Sequence, residues 1–183
     1  MSAEVRRAGR GAGGFTLLEL MISSTVFLLV AGAVVTALVV SSALNMTNRE
    51  TALASRAAQS IIEELKGTAF DEVFVRYNTT AADDPALGTS PGDGFAVEGL
   101  DLQADDADGF VGSIEFPGTG ATLREDGEDV ELGMPRDLNG DGPPLDVDDH
   151  ADDYRILPVR IVIRWSGQNG DRTFELVTVL TEL

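Results

Sequence analysis

The chain has 183 residues, no cysteine, one histidine, and 31 acidic against 13 basic side chains, for a formal net charge of -18. Without cysteine, no disulfide can staple a small exported domain, and no thiolate can act as nucleophile or metal ligand. The acidity argues against a nucleic-acid partner held by phosphate neutralisation, which needs clustered Lys and Arg, and the length allows one long helix and one modest domain with a small core.

Arg6, Arg7 and Arg10 lie near the start, and Gly14-Phe15-Thr16-Leu17-Leu18-Glu19 then sets a small residue, a sharp apolar onset and one isolated carboxylate side by side. After Glu19 no charged side chain appears until Arg49. Leu20 to Val40 is almost wholly Leu, Val, Ala, Met, Ile and Phe with a few Ser and Thr, long enough for a transmembrane helix of about 20 apolar residues. The arginines ahead of it hold that side in the cytoplasm, so whatever follows Val40 faces outward. An ordinary secretory signal has an apolar region of about 7 to 15 residues before an A-x-A-like site. This run is longer, and only Ser41-Ser42-Ala43 loosely suits such a cut.

The stretch from about residue 6 to 40 resembles the N-terminal segment of type IV prepilins and of the pseudopilins of type II secretion and related systems. That resemblance implies a leader, Met1 to Gly14, cut by a prepilin peptidase between Gly14 and Phe15, with N-methylation of Phe15. It implies a bacterial inner-membrane protein with its N-terminus cytoplasmic, one transmembrane pass over about residues 17–40, and later residence in a pilus or pseudopilus. Its partners would be the peptidase, other pilins or pseudopilins and an inner-membrane assembly platform. Glu19 would meet the terminal amine of a neighbouring subunit, an amine mostly protonated at neutral pH given its intrinsic pKa of about 7.7 to 8.0. Two readings of Glu19 stand at this point. An acid within a membrane helix costs about 2.5 to 3.5 kcal/mol at the centre by insertion scales and is a functional candidate by default; an acid in the first turn at the membrane surface is simply favoured by the helix dipole.

Beyond the bilayer the helix should continue, because Ala54, Ala58, Ile61, Ile62 and Leu65 recur at three- and four-residue spacings. Gly67 is a natural stop. A helix over 15–66 would measure roughly 78 Å at about 1.5 Å per residue. The proline usual midway through the membrane half of major pilins is absent, and so is the disulfide that closes many pilin domains. The missing proline favours a minor pilin or minor pseudopilin. From Thr68 to Gly120 the chain is rich in Gly, Pro, Asp and Thr and reads as a connecting region, with strand pieces at Phe95 to Val97 and Gly112 to Phe116 and weaker ones at Leu123 and Val130 to Leu132.

The acidity is concentrated between Asp83 and Asp153, where 21 acidic residues face two basic ones, Arg124 and Arg136. Within it, Asp137-Leu138-Asn139-Gly140-Asp141-Gly142 looks like the first half of an EF-hand-type calcium loop, with oxygen ligands at alternate positions before a turn-permitting glycine. Asp137, Asn139 and Asp141 would give side-chain oxygens, Pro143 a carbonyl, and Asp148 would close the loop at its twelfth position. Leu145 at the ninth position offers no oxygen, and a Gly/Asp-rich surface turn is the plainer alternative. The single His150 lies in this acidic loop without a second histidine for a zinc site, and a solvent-facing position is expected of it.

At the C-terminal end Asn169-Gly170 signals a two-residue hairpin loop. Counting outward opposes Trp165 to Phe174, Ile163 to Leu176, Ile161 to Thr178 and Val159 to Leu180 on one apolar face. On the other, Arg164 meets Glu175, Val162 meets Val177 and Arg160 meets Val179. No nucleophile elbow or phosphate-cradling glycine loop is present, so no enzyme is expected. The sequence therefore reads as an α+β, pilin-like chain. A leader over 1–14 precedes a long helix over 15–66, and an extracytoplasmic domain over 67–183 ends in the hairpin 156–183. A membrane-anchored, calcium-dependent binding or adhesion module is the competing class.

Overall fold

The structure, a computed structural model, describes residues 14–85, 90–142, 147–168 and 170–182. They fall into two compact units, one ending at Leu44 and the other running Asn45–Leu183. Helix α1, Leu17–Gly67, contributes to both.

In the first unit the helix satisfies its backbone polar groups along its own axis, and apart from Glu19 in the first turn and a few hydroxyls its side chains are apolar. Three of the hydroxyls follow the same rule: Ser24 and Thr25 donate to the Met21 carbonyl at 3.0 and 2.8 Å, and Thr36 donates to that of Gly32 at 3.0 Å. Such back-bonding removes the need for an outside partner, which a hydrocarbon environment cannot supply.

In the second unit α1 shows the periodic burial its sequence implies. Ala54, Ala58 and Leu65 are buried, with Ile61 and Ile62 packed against the same core. The helix stops at Gly67, where the Thr68 N–H donates to the carbonyls of Glu64 and Leu65. A second helix, α2 (Phe70–Tyr77), follows, within the stretch expected to be connecting region. Phe70, Val73, Phe74 and Tyr77 stand at three- and four-residue spacings, three of them buried, and Glu72 pairs with Arg76 one turn on at 2.5 Å.

The main sheet is antiparallel with order β1-β2-β5-β6, where β1 is Gly94–Phe95, β2 Gly112–Glu115, β5 Ile156–Gly167 and β6 Gly170–Thr181. A separate ribbon pairs β3 (Gly118–Thr119) with β4 (Thr122–Leu123). Val130 to Leu132, expected to be extended, instead lies in a turn. Asp129 Oδ1 accepts the N–H groups of Glu131 and Leu132, both at 3.1 Å, and that local bonding competes successfully with a strand.

The hairpin forms with its register displaced by two residues from the count. Gly167 pairs with Gly170, Trp165 with Arg172, Ile163 with Phe174, Ile161 with Leu176, Val159 with Thr178 and Leu157 with Leu180. Arg164 accordingly faces Thr173, not Glu175, and lies 3.6 Å from Glu115 on β2. A two-residue slip returns every side chain to its own face, so the apolar pattern cannot distinguish the two registers. The count centred the loop on Asn169-Gly170, whereas Gly170 opens β6 with φ +108°. The core face is as expected: Leu157, Val159, Ile161, Ile163 and Trp165 are buried. The Trp165 indole donates to Glu50 of α1 at 3.2 Å, which ties the strand to the helix. On the opposite face Arg160 is held by Glu115, Asp129 and Glu131 at 2.7, 3.1 and 3.0 Å.

Candidate functional site

Two places carry the residues singled out by sequence. The first is the start of α1. Gly14, Phe15 and Thr16 precede the helix, and the Glu19 N–H donates to Thr16 Oγ1 at 3.2 Å. Thr16 is thus a side-chain N-cap, and Thr16-x-x-Glu19 has the spacing of a capping box. Sequence reasoning passed over Thr16, although this spacing was its signal. Glu19 sits in the first helical turn and is exposed, where the helix dipole favours a carboxylate.

The residues that follow are unusual in their exposure. Phe15 is 82% exposed, Leu29 71% and Phe27 70%, and the apolar window of α1 has none of its residues buried within the chain. Exposed apolar surface on this scale marks an interaction with a membrane or another protein. It is the one helix among the described residues long and apolar enough to cross a membrane.

The second place is the acidic loop, which is built around β4 and the residues just after it. Leu123 N–H donates to Asp149 Oδ1 and the Leu123 carbonyl accepts from His150, both at 2.9 Å. Two residues on, the Glu125 carbonyl accepts from Arg136 at 3.2 Å, while its side chain turns inward and is fully buried. Glu125 Oε1 accepts the N–H groups of Leu138 at 2.5 Å and Asn139 at 3.2 Å. Leu138, itself buried, passes the chain on: its carbonyl accepts from Arg155 and Ile156 at 2.8 and 2.9 Å, at the foot of β5.

Asp137 Oδ1 and Oδ2 accept from Gly140 at 2.5 Å and Gly142 at 3.2 Å, and Asn139 Oδ1 accepts from Asp141 at 3.1 Å. Gly140 and Gly142 have φ of +81° and +153°, conformations that side chains resist and that permit this coil. One carboxylate oxygen from each of Glu125, Asp137 and Asp141 lies within 4.8 Å of the others. Asn139 is beside them, with its amide donating to Asp153 at 3.2 Å. Pro143 lies outside the described residues, as does Leu145. Asp148 is exposed and is not among the converging carboxylates. Glu125 was not singled out by sequence, because it lies twelve positions before Asp137 and no local spacing connects them.

His150 is buried, not solvent-facing. Its backbone pairs with Leu123, its Nδ1 lies 3.0 Å from Asp153 Oδ1, and its Nε2 lies 3.9 Å from Glu125 Oε2. Beyond the loop, Tyr154 joins this region to α2. Its hydroxyl donates to the Phe70 carbonyl at 2.5 Å and accepts from the Phe74 N–H at 3.3 Å. Burial pushes the Tyr154 phenol up to about 12, against the smaller opposing effect of the Phe74 hydrogen bond.

Residues 9–35 match the protein family described as the prokaryotic N-terminal methylation motif. No curated protein and no solved structure matches the chain. The matched segment contains Gly14, Phe15, Thr16 and Glu19 and the first part of the exposed apolar helix, and it is consistent with the N-terminal segment of a type IV prepilin-like protein.

Proposed function

We propose that this chain is a minor pilin or minor pseudopilin. Its basic leader stays on the cytoplasmic side, α1 is held in the inner membrane, and the domain after it lies outside. Prepilin peptidase cuts between Gly14 and Phe15, Phe15 is N-methylated, and an assembly platform moves the subunit into a filament with other pilins. The work of such a protein is helix packing, not turnover.

One observation carries this reading: the methylation motif lies on a helix segment whose apolar side chains find no burial within the chain. Lipid supplies that burial first, and neighbouring helices supply it in a filament. Glu19, exposed in the first turn of α1, is the group proposed to meet a neighbour's terminal amine, an attraction that grows as lipid excludes water from the pair. The absence of proline in residues 17–40 supports the minor role.

The test is the intact mass of the protein recovered from membranes of cells with an active prepilin peptidase, together with crosslinking to other pilins. A chain beginning at N-methylated Phe15 is expected. Glu19→Ala should be cut normally and recovered in fewer crosslinked complexes. A chain still beginning at Met1, or a soluble form cut near Ala43, would contradict the proposal.

A further inference from the structure

The carboxylate of Glu125 does more than cap a loop. Its Oε1 already accepts two N–H groups, yet Oε2, equally buried, has no hydrogen-bond partner among the described residues. The nearest group able to carry positive charge is His150 Nε2 at 3.9 Å, beyond hydrogen-bond distance. The same side chain points at Asp137 and Asp141, and none of the three carboxylates has an Arg or Lys ion pair among the described residues. A buried carboxylate with an unused oxygen, facing two more acids, is costly unless a cation joins them.

We infer that Glu125, Asp137 and Asp141 bind a divalent cation of the calcium type. The donors are all hard oxygens, which suit calcium and not the softer nitrogen- and sulfur-seeking metals. The three acids range from buried to exposed, so the ion would be reached from solvent at Asp141 and anchored in the core at Glu125. The site differs from a closed twelve-residue loop: its far ligand comes from the segment after β4, and Asp148 is not required. Bound there, the cation clamps the Asp137–Gly142 coil to that segment. Through the Leu138 carbonyl it also steadies the foot of β5, a stapling role open in a chain without cysteine. This inference stands whether or not the chain enters a filament.

The experiment is calorimetric titration of the full chain in detergent with calcium chloride, with melting curves in calcium and in chelator. One site per chain is expected, with Kd in the range of about 10⁻⁴ to 10⁻³ M typical of extracellular modules, and melting at higher temperature in calcium. Glu125→Gln keeps an oxygen for the Leu138 and Asn139 N–H groups but loses the charge, and should weaken binding about tenfold or more. Asp141→Asn, at an exposed position, should do the same while melting as the parent does in chelator, and it decides the matter if the Glu125 variant does not fold. No calcium heat and equal melting in both buffers would overturn the site, as would parental affinity in Asp141→Asn or in a folded Glu125→Gln.

Discussion

Leu28 and Leu157 are the same residue in opposite circumstances. The first is 68% exposed on the early part of α1, and the second is fully buried in β5. The contrast extends to their neighbourhoods. Before Leu44 nearly every large apolar side chain is exposed, whereas after Asn45 the same residue types gather into one core of α1, α2 and the sheet. Apolar composition alone therefore says nothing about where burial comes from. The second unit supplies its own, and the first must receive it from lipid or from other chains.

The sharpest way to break this contrast is to truncate both leucines. Leu157→Ala should destabilise the folded domain by about 2 to 5 kcal/mol, because it leaves a cavity in a packed interior. Denaturant unfolding in detergent, followed by the fluorescence of the single Trp165, reads this directly.

A smaller effect comes from Tyr154, whose neutral phenol the domain protects. Below about pH 10 the phenol is protonated in both folded and unfolded chains, and its contribution is complete. Between that pH and about 12 the unfolded chain releases its proton while the folded chain keeps it, so stability should fall as pH rises. Burial raises the Tyr77 phenol as well, in the same direction. Tyr154→Phe should be less stable at neutral pH, having lost two hydrogen bonds, but should show a shallower decline over that alkaline range in a pH series of denaturant melts.

The smallest effect should come from Leu28→Ala, which removes no contact from the domain core. Its unfolding midpoint by Trp165 fluorescence should match the parent's within about 0.5 kcal/mol. A loss comparable to that of Leu157→Ala would mean that residues before Leu44 contribute to the core after all.

How much of this was legible in the sequence depended on the range of the interaction. The membrane-length helix and its inner face at Ala54, Ala58 and Leu65 follow from periodicity, a local property. So do the two faces of the hairpin. Its register was not legible from periodicity, since a slip of two residues leaves each face unchanged and the decision passes to a few residues near the loop. Helix α2 had its signal in the spacing of Phe70, Val73, Phe74 and Tyr77, hidden by the Gly- and Asp-rich composition around it. Glu125 and His150 were the least legible, because what defines them is distant: β4 draws both toward the Asp137 coil, and neither carries a local mark of burial.

The central claim is that the early part of α1 is covered by lipid or neighbouring subunits while the domain after it faces outward. The absence of cysteine makes this directly measurable with single-cysteine variants. Leu28→Cys and Val130→Cys, the latter at an exposed position of the domain, can be treated in intact cells with a maleimide that does not cross the inner membrane, after the outer barrier has been made permeable. The account predicts that Val130→Cys is labelled and Leu28→Cys is protected until detergent is added. Equal labelling of the two before detergent would contradict it.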